Sequence, residues 1–144
     1  MQQSLFSLLQ PQAGNPSPTE SVPALTALPG ETPLEGAVFT VFDIETTGLN
    51  GKKNSITELT AIQYRWQSGR AEELGMLTSL VKPTDAITEE VFNLTGITEA
   101  MVADAPEPRH VLQQFLGLMG ASPILVGHNV AFDIAFVREK LGQY

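Results

Sequence analysis

The feature that most constrains the fold is the run Val38-Phe39-Thr40-Val41-Phe42-Asp43-Ile44-Glu45. Five β-branched or aromatic residues in succession predict a central strand, because such side chains suit a pleated, buried surface. Asp43 and Glu45 stand two residues apart on it, so both carboxylates project from one face. Two acids so placed repel each other and lose solvation on burial. The spacing leaves two readings open: a solvated strand end, or ligands for a divalent cation such as Mg²⁺ or Mn²⁺, which takes carboxylate oxygens and water. The Thr46-Thr47-Gly48 turn that follows brings backbone N–H groups and hydroxyls to the strand's C-terminal end, where ligands of α/β sheets bind.

The rest of the chain supplies a frame for that strand. Gly, Asn and Lys mark 48–54 as a turn, and 56–66 and 73–81 read as the second and third strands. Thr88 caps a short helix stopped by Gly96, and Thr98 caps a further turn. Pro106 and Pro108 introduce a helix bearing Val111, Leu112, Phe115, Leu116 and Met119 at helical spacing, closed by Gly120. Ile124-Leu125-Val126 reads as a short buried strand. A last helix covers 131–141, with Val130, Ile134, Val137 and Leu141 on one stripe. Three strands, helices, a strand and a helix predict an α/β fold with helices against the sheet. Residues 10–36 hold six of the ten prolines, with Ser, Thr, Gly and Ala, so they are predicted to be a disordered linker.

Composition excludes several chemistries. There is no cysteine, hence no disulfide framework, thiolate zinc site or cysteine nucleophile; this fits a reducing, cytoplasmic setting. No apolar stretch approaches the ~20 residues of a membrane span. The apolar patch at residues 5–9 is too short for the ~7–15-residue core of a secretory leader. The net charge of −8 argues against a phosphate binder. Part of that charge is the proposed site itself, where bound cations reverse the local sign. Three more acids (Glu20, Glu31, Glu35) lie in a tail without a base.

A third carboxylate, Asp133, follows the strand at 124–126 through Gly127-His128-Asn129 and falls in the first turn of the last helix, where the helix dipole alone also favours an acid. Phe132 shares a face with Phe136 and reads as core. His128 reads as a loop-bonding residue and His110 as solvent-exposed. Glu58, on the second strand, reads equally as support for a metal site and as a strand-face acid.

Together these residues resemble the DEDD family of 3′→5′ exonucleases, in the branch of the epsilon-type proofreading subunit of bacterial DNA polymerase III. Phe42-Asp43-Ile44-Glu45-Thr46-Thr47-Gly48-Leu49 is similar to the family's first motif, and 56–62 to its second strand. Asn93-Leu94-Thr95-Gly96-Ile97-Thr98 resembles its Thr-Gly-Ile-Thr turn, and Val126-Gly127-His128-Asn129-Val130-Ala131-Phe132-Asp133 its second catalytic motif. The resemblance covers residues 37–144 and implies a ribonuclease H-like mixed sheet flanked by helices. It implies that Asp43 bridges two divalent cations, that Glu45 holds the one activating the attacking water, and that Asp133 holds the second. Thr46, Thr47, Gly48, Leu49, Asn129 and Phe132 would shape the pocket for the terminal nucleotide of a single-stranded or frayed DNA 3′ end. The product would be a nucleoside 5′-monophosphate. The third motif, a His-x4-Asp that supplies the general base and a fourth carboxylate, is not found in the 144 residues. A base contributes ~10²–10⁴-fold, so the chain by itself is expected to be a weak or inactive nuclease, incomplete at its C-terminus.

A smaller resemblance lies in residues 1–9. Gln2-Gln3-Ser4-Leu5-Phe6 is similar to the peptide with which bacterial replication proteins bind the β sliding clamp. Leu5 and Phe6 would fill an apolar pocket, Gln2 and Ser4 would set the register, and the linker would act as a tether. A clamp or a polymerase subunit is therefore an expected partner. The sequence leaves two alternatives: a non-catalytic clamp-binding module, and a ribonuclease of the same family.

Overall fold

The computed structural model describes residues 34–120 and 124–143. The expected clamp peptide and most of the expected linker lie outside the described residues. Strand β1 (Val38–Thr46) pairs antiparallel with β2 (Ile56–Gln67) and parallel with β4 (Ile124–Val126), while β2 pairs antiparallel with β3 (Arg70–Leu80). The sheet order is β3-β2-β1-β4, so the acid-bearing strand is central. Helices α1 (Glu89–Thr95), α2 (Glu99–Val102) and α3 (Pro108–Met119) fall between β3 and β4, and α4 (Val130–Leu141) closes the order.

β3 starts three residues earlier than its apolar pattern predicts. Ser68 and Gly69 take φ of 53° and 75°, a left-handed pair that matches the twist of a two-residue hairpin. Arg70, Ala71 and Glu72, which form no apolar alternation, therefore continue the ladder opposite Gln67, Trp66 and Arg65. Before β1, the N–H of Gly36 donates to the carbonyl of Trp66 (2.8 Å), and Glu35 accepts from the N–H of Ser68 (2.9 Å), so this turn is already fastened to the hairpin.

Period-two alternation sorts β1 into two faces. Thr40, Phe42 and Ile44 point to the core with Leu59 and Ala61 of β2. There they meet Val111, Leu112 and Phe115 of α3 and Phe136 and Val137 of α4, with the Phe42 and Phe115 rings 5.0 Å apart. Val41, Asp43 and Glu45, on the opposite face, are half-buried or exposed. The expected helix ends are all present. Thr88 and Thr98 accept from Val91 and Met101 N–H groups, Pro108 occupies the first turn of α3, and Gly96 closes α1 with φ 77°. The expected stripe on α4 meets the core, with Val137 buried and Val130, Ile134 and Leu141 packed partly buried against it, and the buried face extends to Asp133, Phe136 and Lys140. The helix turns Asp133 toward β1, and the Lys140 stem lies inward with its ammonium 5.8 Å from the Phe136 ring centre.

Candidate active site

The sheet register builds the site from β1 outward. Asp43 stands opposite Thr60 and Glu45 opposite Glu58, which places three carboxylates and a hydroxyl around one small cleft. Glu58 is 3% exposed, so this acid lies in the sheet rather than at a solvated edge.

Asp133 joins them because β4 is short. It pairs with β1 only from Phe39 to Val41, leaving the N–H of Ile44 without a ladder partner on that side. The Asp133 Oδ1 accepts this N–H at 3.2 Å. A buried donor is thereby satisfied, and the carboxylate is held beside the residue that separates Asp43 from Glu45. Gly127 permits the approach, since a Cβ there would lie 2.8 Å from the carbonyl oxygen of Phe42.

The electrostatics confirm that the acids feel one another. Burial pushes the Glu45 carboxyl up to about 7, and Asp43, Glu58 and Asp133 add repulsion in the same direction. Burial also raises Asp43, with the nearby His128 acting oppositely. Asp133 is raised by burial and by Asp43, against the opposing pull of its N–H donors and His128. Among the described residues, no three His, Cys, Asp or Glu side chains already surround a single ion position.

One pH dependence follows. Glu45 in the folded chain binds its proton more tightly than an ordinary glutamate at 4.5, so the folded state loses stability as pH rises from 4.5 through about 7. One pKa unit is worth about 1.4 kcal/mol. With discount for solvent screening of this half-open group, the loss is about 1–2 kcal/mol. Urea unfolding in the presence of a chelator should show it between pH 5 and pH 8. The loss should shrink in Glu45→Gln, and parallel curves for the two proteins would contradict it.

The turn after Glu45 divides the expected nucleotide contacts. The Thr46 hydroxyl donates to the Gly48 carbonyl at 2.7 Å, and Leu49 is 88% exposed. Thr47 instead faces inward. Its N–H donates to the Ser55 carbonyl (2.9 Å), and its hydroxyl accepts from Ser55 N–H (2.9 Å) while donating to Asp85 (2.5 Å). Asn129 is exposed at the start of α4 with φ 54°, and His128 is exposed beside it. Phe132 is partly buried against Phe136, ring centres 5.7 Å apart, as its place on the helix predicts. Asp85, which accepts the Thr47 hydroxyl, carries no local signal in the sequence, being a single acid in a Thr-Asp loop.

A mixed sheet with its acid-bearing strand in the centre, helices against one face and a helix-borne acid at that strand's end is the ribonuclease H-like nuclease fold. The chain belongs to the DEDD exonuclease family, for the family model described as RNase_T, Exonuclease, matches residues 40–144. It is similar to the PolC-type DNA polymerase III of Staphylococcus aureus (strain bovine RF122 / ET3-1), 37% identical over 117 residues that cover 79% of this chain and 8% of that one. The PolC-type enzyme of Oceanobacillus iheyensis is 41% identical over 101 residues, covering 70% of this chain and 7% of that one. The chain thus spans under a tenth of the length of these relatives. Among solved structures, E. coli exonuclease I in complex with an oligonucleotide superposes with a TM-score of 0.62 at 20% identity, covering 71% of this chain and 23% of that one; it shares the fold. The family and the fold expected from the sequence are both borne out.

Proposed function

We propose that this chain carries the metal-binding part of a 3′→5′ exonuclease that removes nucleoside 5′-monophosphates from DNA ends. The observation that carries the reading is the Asp133–Ile44 hydrogen bond, which sets a helix acid beside the Asp43–Glu45 pair. The donor set suits a divalent cation: the acids crowd one half-buried face and oppose one another's ionisation. Asp43, Glu45 and Asp133 would hold two such ions, Mg²⁺ or Mn²⁺. When bound, these would supply electrostatic stabilisation to the incoming and leaving oxygens of an in-line phosphodiester displacement.

The chain's own residues do the rest of the local work. Glu45, near half-protonated at neutral pH, would release its proton as it becomes a ligand. Exposed Leu49 would offer an apolar contact to the terminal base. The Thr46–Gly48 bond fixes the turn from which that contact is made. The proton acceptor and fourth carboxylate of the family's third motif are not among these 144 residues. DNA is favoured over RNA because the matched relatives are DNA polymerases.

Calorimetric titration with Mn²⁺, followed by incubation with 5′-labelled single-stranded DNA, tests the reading. The expected result is saturable Mn²⁺ binding and, once the third-motif segment is supplied in trans or in a longer chain, shortening from the 3′ end. A folded chain that takes up no Mn²⁺ would sink the metal assignment. Shortening from the 5′ end would sink the direction.

A further inference from the structure

Asp85 lies in the loop between β3 and α1, far in sequence from the acids. Its Oδ2 accepts the Thr47 hydroxyl at 2.5 Å and the Asn54 amide at 3.4 Å. Asn54 also accepts the Asn50 N–H at 3.1 Å, and its side chain fills the space where a Cβ on Gly48 would fall, 2.7 Å away. Ser55 bonds the Thr84 hydroxyl and N–H, both at 3.0 Å, which fastens the Asp85 loop to the start of β2. Three segments therefore meet at one carboxylate: the turn after β1, the start of β2, and the 84–85 loop.

This junction matters because backbone pairing with β2 and Ser55 reaches only Thr46 and Thr47, the first two residues of that turn. The β1–β2 register slips between Glu45 and Thr46, and beyond the slip the strand backbones meet only through Thr46 opposite Ile56 and the Thr47 N–H donating to the Ser55 carbonyl at 2.9 Å. Beyond the slip, Thr47 is held by Ser55 and Asp85. Burial pushes the Asp85 carboxyl up, but hydrogen bonds from Ser55, Thr47, Asn54 and its own N–H outweigh that and hold it below the usual range. It is thus a charged acceptor at neutral pH, and bonds to charged acceptors are the stronger kind.

We infer that Asp85 is a positioning residue that sets the shape of the turn at 46–49, through Thr47 and Asn54, and thereby the affinity for the terminal nucleotide. The inference rests on the nuclease reading above for what the turn contacts, but not for what holds the turn.

The test uses the 144-residue chain, with Mn²⁺ and thymidine 5′-monophosphate as probes. Asp85→Ala should weaken nucleotide binding by about tenfold or more, as expected for a lost charge-assisted hydrogen bond. Mn²⁺ affinity, set by Asp43, Glu45 and Asp133, should stay within about twofold, since metal affinity follows its ligands and their direct supports. Asp85→Asn should recover part of the loss, because an amide oxygen still accepts the Thr47 hydroxyl. Unchanged nucleotide affinity overturns the inference. So does an equal fall in Mn²⁺ and nucleotide affinity, which marks a general loss of structure. If the unaltered chain binds no nucleotide, the nuclease reading fails and amide exchange decides on Asp85. Exchange about tenfold faster at Thr47 and Ser55, with α3 unchanged, supports it; unchanged exchange there overturns it.

Discussion

Asp43→Asn is expected to cut Mn²⁺ affinity by about 10²–10³-fold, since a metal–carboxylate interaction is worth several kcal/mol and each 1.4 kcal/mol is tenfold. Asn keeps the volume and one oxygen but removes the charge from the residue with acids on either side. Glu45 follows it on the same strand face, and Asp133 is fixed at the intervening Ile44 N–H. The metal-free fold should not suffer. Asp43 is among the groups that make ionised Glu45 and Asp133 costly, so its neutralisation relieves repulsion. Thermal unfolding in a chelator should give an equal or higher midpoint for the variant, while calorimetry shows the lost metal binding. In any longer assembly in which the chain cuts DNA, the rate should fall with the affinity. Retained Mn²⁺ affinity would mean that the acids serve another purpose. A lower midpoint without metal would mean that the repulsion has been misread.

The sequence reveals what local periodicity and capping determine, and it hides what depends on register and on contacts between distant residues. The Asp43–Glu45 spacing was legible because strand periodicity alone puts i and i+2 on one face. The caps at Thr88 and Thr98 were legible because capping is local. Glu58 was not decided, since its place depends on which β2 residue pairs with Glu45, and one sequence does not state a register. The inward turn of Thr47 was missed for a related reason. Its hydroxyl is taken by Ser55 and by Asp85, 38 residues on, and no local pattern encodes that meeting. Apolar alternation starts β3 only at Glu73, because Arg70 to Glu72 lack it; the positive φ at Ser68 and Gly69, rather than burial, carries them into the strand. Asp133 was recognisable only through its motif. Its physical hold on the site, the Ile44 N–H, exists because β4 stops at Val126.

The joint that delivers Asp133 gives the second large effect. Gly127 follows the last residue of β4 and begins the link to α4. A Cβ there would lie 2.8 Å from the carbonyl oxygen of Phe42 and 3.3 Å from Cγ2 of Val130. Phe42 is 2% exposed in the central strand and packed on Phe115, so its backbone cannot retreat. In Gly127→Ala the link must move away from β1 instead. Overpacking of this kind costs about 1–3 kcal/mol. The movement also reaches the proposed metal site, because Asp133 lies in the first turns of the helix that the link starts. Its bond to Ile44 is already 3.2 Å long, and further separation weakens it steeply. Mn²⁺ affinity should therefore fall by about tenfold or more, the cost usual for a displaced or unsupported ligand. Gly117→Ala makes the control. A Cβ there meets nothing within 4 Å on an exposed turn of α3, so the change should stabilise the chain by about 0.5–1 kcal/mol and leave Mn²⁺ binding alone. Chemical unfolding and Mn²⁺ calorimetry on both variants would separate the two glycines. If Gly127→Ala matched the unaltered chain in both, the close approach of link and strand would not be what holds Asp133 in the site.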